Sequence, residues 1–119
     1  MKAEGSKLVK LAKGDILMRE GERSKSLYWL QTGQLLVYKM HGTEQVHLGY
    51  VFSGELVGEM SFLDKEPRSA TVKALSDCEL IEIPQEKFDK FFDEQPRWLQ
   101  VLIKTLSDRL RKANKRIRI

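Results

Sequence analysis

A pair of charged residues and their small neighbours carry the densest chemistry in the middle of the chain. Glu59 directly follows Gly58. Arg68 stands nine residues further along and is followed by Ser69 and Ala70. Arg68 offers a permanently charged, two-pronged donor that suits a phosphate. Glu59, when ionised, only accepts hydrogen bonds, so it suits a hydroxyl donor such as a ribose 2′-OH.

The turn that begins at Gly58 could complete a binding site. Gly58 has no Cβ, so a ligand can approach its backbone closely. If a short helix begins here and includes Met60 and Ser61, its first N–H groups lack partners within the helix and attract an anion. A phosphate cradle, a cation and a carboxylate that accepts from a hydroxyl together describe a nucleotide site.

Simpler interpretations of these residues exist. Glu59 and Arg68 could form a surface ion pair, and Gly58 could be an ordinary turn glycine. For Gly54 we favour the role of a turn glycine. Glu55 completes the first Gly-Glu pair, and we expect it to be solvated or structural.

At these residues the chain resembles the cyclic nucleotide-binding domain family. That family includes the bacterial catabolite activator protein, regulatory subunits of cyclic-nucleotide-dependent kinases and several ion channels. Gly58-Glu59-Met60 is similar to the family's Gly-Glu-Leu turn, and Arg68-Ser69-Ala70 is similar to its Arg-x-Ala sequence. The resemblance implies a sensor that binds a cyclic nucleotide, is not an enzyme, and moves its C-terminal helices in response.

The resemblance also indicates which nucleotide is bound. In the family, a threonine directly after the phosphate arginine helps to favour cGMP. Ser69 stands at that place here, as serine does in the adenine-binding catabolite activator, so we expect cAMP, with cGMP possible. A residue of the last helix usually caps the base, and Asn114 matches that depth. Asn114 could cap its own pocket or that of a partner.

Short strands followed by helices must position these residues. Glycine turns separate runs of alternating apolar residues from Leu8 to Ile83, which is typical of an antiparallel sandwich or jelly roll. We predict a mainly β fold in one domain of 119 residues: a jelly-roll β-barrel (β-roll) over 8–83, then a short and a long α-helix over 84–119. One strand is expected to present a single face made of Val46, Leu48, Tyr50 and Phe52.

The short helix is predicted over Gln85 to Glu94. Phe88, Phe91 and Phe92 recur at helical spacing and form an aromatic face that should pack against the barrel. In the family this helix moves when ligand binds, so the resemblance makes these three residues candidates for hinge packing.

The long helix from Arg97 carries apolar residues seven apart, as in a coiled coil. They are Leu99, Ile103, Leu106, Leu110, Ala113 and Ile117. We expect this seam to join two copies of the chain into a homodimer, because Trp98, Val101 and Leu102 offer a separate apolar edge for the barrel.

Charge and composition narrow the class of protein. Residues 84–119 carry 10 basic and 5 acidic side chains, whereas residues 1–83 carry 11 and 12. The basic tail is expected to be a solvated helix face, with phosphate-backbone or acidic-partner binding as the alternative. No apolar run or signal peptide suggests a membrane, so we expect a cytoplasmic protein. The lone Cys78 is expected to be a buried structural thiol.

Two other functions agree less well with the sequence. A cupin-type metalloenzyme needs a His-x-His cluster, whereas His41 and His47 are six residues apart. An interaction module with a lapsed nucleotide site is disfavoured by the presence of both Glu59 and Arg68. We find no helix-turn-helix DNA-binding domain after the long helix, so the output is expected to be the oligomeric state, a partner protein or another domain.

Overall fold

Eight antiparallel strands build two four-stranded sheets. The computed structural model describes residues 7–23 and 25–117, except for the side chains of residues 64 and 114–117. The strands are β1 (Lys7–Leu11), β2 (Ile16–Met18), β3 (Ser26–Thr32), β4 (Leu35–His41), β5 (Glu44–Val51), β6 (Leu56–Val57), β7 (Thr71–Ala74) and β8 (Cys78–Pro84). One sheet has the order β1-β8-β3-β6 and the other the order β2-β7-β4-β5. The predicted antiparallel β-roll followed by helices is confirmed.

Both sheets contribute side chains to one apolar core. Leu30 and Leu80 from the first sheet and Leu35 from the second are fully buried. Burial of each such side chain contributes about 1.5–3 kcal/mol. Cys78 belongs to the same core, which confirms the prediction of a buried thiol.

A β-bulge overturns the predicted face of β5. Val37 pairs with Gly49 and Tyr38 pairs with His47, which leaves Leu48 as the extra residue. An extra residue reverses the alternation of the side chains that follow it. Consequently Val51 is buried, whereas Tyr50 is 51% exposed. The further member of the predicted face, Phe52, follows the end of the strand and is 54% exposed.

Three helices complete the fold: α1 (Glu59–Asp64), α2 (Gln85–Asp93) and α3 (Arg97–Ile117). On α2, Phe88 packs edge-on against Phe62 of α1 with ring centroids 4.7 Å apart, and Phe92 lies 5.5 Å from Phe88. Phe91 is 61% exposed, so the prediction that it takes part in the packing is wrong.

The long helix packs on α1 with an unexpected face. Ser107 is buried and Ile103 is half-buried, whereas Trp98 is 68% exposed. Val101 and Leu102 are also about half exposed. The assignment of these last three apolar residues to the barrel is therefore wrong. None of the described helices combines the length and apolarity required to span a membrane.

Candidate functional site

A cavity of about 360 Å³ opens beside α1, between the strands of the barrel. Its volume falls within the range of about 300–1,000 Å³ that is usual for small-molecule sites. Seven of the eight residues that we predicted from the sequence line it. They are Gly58, Glu59, Met60, Ser61, Arg68, Ser69 and Ala70. The side chain of Asn114 lies outside the described part of the structure, so its capping role stays a prediction.

The turn at Gly58 brings the chain from β6 into α1. Gly58 has φ +85°, in the left-handed region that favours glycine, and its carbonyl accepts the first helical bond from Phe62 N–H. The helix ends after one and a half turns at Lys65, which is also left-handed (φ 64°) and donates its N–H to the Ser61 carbonyl. The predicted short helix is thus present, and it places Glu59 and Ser61 on the cavity wall.

Both the side chain and the backbone of Arg68 are held by hydrogen bonds. Its side chain is buried, with 6% of the residue exposed. Nη1 donates to the Gly58 carbonyl at 3.1 Å and to Ser61 Oγ at 3.0 Å, and Nη2 donates to the Ser26 carbonyl at 2.7 Å. These bonds engage three of the five N–H groups that a guanidinium carries. The backbone is also fixed, because Arg68 N–H donates to the Glu22 carbonyl at 2.7 Å.

The side-chain hydrogen bonds found for Arg68 all go to neutral oxygens. Burial lowers the pKa of Arg68, while the nearby charges of Tyr28, Glu22 and Glu59 act in the opposite direction. A guanidinium nevertheless stays protonated at physiological pH. Within the described part of the chain, no carboxylate lies within 4 Å of it, which excludes a surface ion pair with Glu59. A buried cation without an anionic partner is costly, so this site favours an anionic ligand.

A second layer of polar residues holds the Ser26 backbone in place. Ser26 Oγ donates to Glu82 Oε2 at 2.6 Å, and the hydroxyl of Tyr28 donates to the same oxygen at 3.4 Å. Burial, followed by the charge of Glu82, raises the pKa of Tyr28. On the far side, Lys7 Nζ lies 3.5 Å from Glu82 Oε1. No local sequence pattern predicts this layer, because strand pairing brings together residues far apart in the chain.

Gly54 and Glu55, the first Gly-Glu pair, stabilise the turn that precedes the site. Glu55 Oε1 accepts from Phe52 N–H at 2.8 Å, and Trp29 Nε1 donates to the Gly54 carbonyl at 3.1 Å. Neither Gly54 nor Glu55 lines the cavity. These contacts fit the structural role that we predicted for both residues.

The remaining wall of the cavity is mostly apolar. Its residues come from β2, β4, β5, β6 and β7, and none was named as a site residue from the sequence. They are Met18, Val37, Lys39, Leu48, Gly49, Tyr50, Val51, Leu56, Val57 and Val72. Strand alternation could have identified Val37 and Val72, but no sequence signal marks the bulge that adds Leu48. A charged end and an apolar wall suit a ligand with a phosphate and a flat base.

Comparison with known proteins settles the family. The model of the family described as "Cyclic nucleotide-binding domain" matches residues 8–95. The chain belongs to this family. Within residues 7–23 and 25–117, no group of three or more His, Cys, Asp or Glu could hold a metal ion, so the described residues offer no support for the cupin alternative.

Individual relatives combine this cyclic nucleotide-binding domain with other segments. The cAMP-activated global transcriptional regulator Vfr of Pseudomonas aeruginosa is 32% identical over 103 residues, which cover 82% of this chain and 48% of the relative. The cAMP-bound EAL enzyme Bd1971 has a TM-score of 0.84 and 30% identity, over 91% of this chain and 29% of that one. The regulatory domain of Toxoplasma gondii PKA with cAMP has a TM-score of 0.70 and 32% identity, over 71% and 33%.

The relatives are much longer than the part of them that this chain matches. The chain spans about half the length of Vfr and about a third or less of the two structural neighbours. Bd1971 also has a cGMP-bound form, with a TM-score of 0.83 and 28% identity over 92% of this chain and 29% of that one. The shared part is therefore a cyclic nucleotide-binding domain that occurs within longer proteins of different kinds.

Proposed function

We propose that this domain binds cAMP in the cavity beside α1 and signals through its C-terminal helices. The observation that carries the proposal is Arg68, a buried cation on the cavity wall that is held only by neutral oxygen atoms. The phosphate lies at Arg68 and Ser69, Glu59 accepts from the ribose 2′-OH, and the base rests on the apolar wall.

The choice of cAMP rests on Ser69 and on the relatives. Vfr is described as cAMP-activated, and the Toxoplasma regulatory domain has been obtained with cAMP. Bd1971 binds cAMP and cGMP, so cGMP is the second candidate ligand. Asn114 would read the adenine edge with its amide.

Isothermal titration calorimetry with cAMP tests this assignment. Arg68→Ala removes a charge-assisted phosphate contact that contributes about 2–3 kcal/mol, so the affinity should fall about 30- to 150-fold. Arg68→Lys should also bind more weakly, because the two-pronged geometry is lost. Arg23→Ala, which removes an exposed arginine, is the matched control and should bind like the wild type. If Arg68→Ala and Glu59→Ala both bind normally, the site is elsewhere.

We further propose that a second copy of the chain covers the exposed apolar stripe of α3. The stripe consists of Trp98, Val101, Leu102, Leu106 and Leu110, each 46–68% exposed. Leu106 and Leu110 belong to the predicted heptad seam, whereas Ile103 is half-buried and faces the protein. The exposed stripe is thus rotated around the helix, toward Trp98 and Leu102, relative to the heptad seam predicted from the sequence. It is wide enough to pack against a second helix.

The proposed signal is a shift of the helices relative to the barrel. In this proposal the β-roll of residues 8–83 and the helices of residues 84–119 act as one unit, which binds a nucleotide and catalyses no reaction on it. The nucleotide favours the arrangement that it binds more tightly. An attached domain or a partner protein then responds to the new position of α3.

A further inference from the structure

Lys39 lies on the cavity wall and has no protein partner among the described residues. It follows Val37 by two positions on β4, so the two side chains point to the same face of the sheet. Both residues line the cavity. No hydrogen bond or ion pair of the Lys39 ammonium is found within the described part of the protein. A cation on a mostly apolar pocket wall is the kind of placed polar group that fixes the orientation of a ligand.

The strand register locates this lysine near the phosphate end of the cavity. Val37 pairs with Val72 and Tyr38 pairs with Thr71. The pairing ends at Thr71, where β7 begins, and the two residues before it, Ser69 and Ala70, lie on the cavity wall. Lys39 directly follows Tyr38, the last residue of β4 that pairs with β7, so it stands at the end of the sheet from which the chain leads to Ser69 and Arg68.

We propose that Lys39 is a second cationic contact to the phosphate of the bound nucleotide. This inference rests on the proposed function, because it concerns the same cavity. The cyclic phosphate carries the formal charge of the ligand, and Lys39 and Arg68 approach it from different strands. Arg68 is fixed by three protein oxygens, whereas the flexible lysine can adjust its three donors to the phosphate once it is bound.

A matched pair of lysine variants tests the contact. Lys39→Met keeps most of the stem and removes the charge. Lys73→Met removes the same charge from the neighbouring strand β7, where Lys73 alternates with Val72 and Ala74 and does not line the cavity. Calorimetry with cAMP should give a loss on the order of tenfold for Lys39→Met and less than about twofold for Lys73→Met. Equal affinities of the two variants would overturn the proposal.

A ligand analogue separates a phosphate contact from a base contact. The N7 atom is the acceptor that adenine presents to a lysine on its major-groove edge. If Lys39 binds the phosphate, Lys39→Met should lose the same factor with cAMP and with 7-deaza-cAMP, in which carbon replaces N7. A loss that disappears with 7-deaza-cAMP would assign Lys39 to the base and overturn the phosphate contact.

The cAMP titrations of the wild type and of Arg68→Ala separate a failure of the lysine contact from a failure of the proposed function. If the wild type binds cAMP and Arg68→Ala does not, a normal Lys39→Met refutes the lysine contact alone. If the wild type does not bind cAMP, the proposed function fails and the lysine contact fails with it. Thermal unfolding of Lys39→Met and Lys39→Gln establishes that any loss of affinity comes from a folded domain.

Discussion

Gly58→Ala should weaken nucleotide binding by displacing Arg68. A Cβ at Gly58 would clash with Nη1 of Arg68 and would lie 3.1 Å from Cε of Met18 and 3.3 Å from Cζ of Arg68. The guanidinium is held by three hydrogen bonds, one of them to the Gly58 carbonyl itself. Arg68 must therefore move away from the position in which it faces the cavity.

The effect of backbone strain can be measured separately at a second glycine. Gly54 has φ +93° and Gly58 has φ +85°, so alanine at either position adopts a left-handed conformation. That conformation costs about 1–2 kcal/mol for a residue with a Cβ. A Cβ at Gly54, however, would meet no atom within 4 Å. Both variants should lose similar stability from strain, but only Gly58→Ala should disturb Arg68.

Calorimetry with cAMP and thermal unfolding of both variants check this reasoning. Gly54→Ala should bind like the wild type, with a melting temperature lower by several degrees. Gly58→Ala should lose at least about tenfold in affinity, up to the 30- to 150-fold expected for Arg68→Ala. If the two glycine variants bind cAMP equally well, the close approach of Gly58 to Arg68 has no part in binding.

Two further predictions concern the helices. Burial acts to raise the pKa of Asp89, but hydrogen bonds from Lys65 and Gln85 and the charge of Lys65 lower it overall below 3.8. The carboxylate therefore stabilises the fold above that pH, and the stabilisation is lost as the pH falls through the lowered value. Denaturant unfolding should give Asp89→Asn a lower free energy of unfolding than the wild type at pH 7, with the two values converging as the pH falls through the lowered pKa of Asp89. In light scattering, Leu106→Glu/Leu110→Glu should be monomeric and Phe91→Glu, which changes an exposed residue of α2, should remain a dimer; a monomeric wild type would contradict the proposed interface.

The part of the site that could be predicted from the sequence is local in the chain. Seven candidate residues lie between Gly58 and Ala70, so the turn and the short helix bring them together without distant pairing. The sequence does not predict the roles of Ser26, Glu82 and Lys39, because these residues are distant in the chain from the site. Ser26 and Glu82 meet because β3 and β8 pair. Lys39 lies on the cavity wall as part of β4, which pairs with β5 and β7. A single lysine in a strand does not indicate which residues of the neighbouring strands will lie beside it.

The face of α3 was misjudged for a different physical reason. Apolar residues stand at both the heptad positions and the positions beside them, so the sequence permits more than one buried stripe. The helix packs on α1 around Ser107, a residue that hydropathy would place outside. Among the described atoms, its buried hydroxyl has no hydrogen-bond partner. The orientation that the helix adopts therefore buries one polar group, at a cost in free energy that the packing of the rest of the helix must offset.

The contacts of α1 connect the proposed phosphate site to the C-terminal helices. Ser61 accepts from Arg68 on the side of the cavity. The next residue, Phe62, packs against Phe88 of α2, and its carbonyl accepts from Gln85 Nε2 at 2.9 Å. A shift of Arg68 toward a ligand would therefore pull on a helix too short to absorb the movement internally.

The same chain of contacts continues to the end of the fold. Lys104 of α3 lies over the ring of Phe92 of α2, 5.7 Å from its centroid, and such a cation–π contact contributes about 0.5–1 kcal/mol at an exposed site. Single contacts of this size can be rearranged by a ligand, since a 100-fold preference for one arrangement corresponds to about 2.7 kcal/mol. The end of α1 is also joined to α2, because Lys65 Nζ donates to Asp89 Oδ2 at 2.8 Å. A movement of α1 would therefore be passed to α2 through this bond and the Phe62–Phe88 packing, and to α3 through the ring of Phe92.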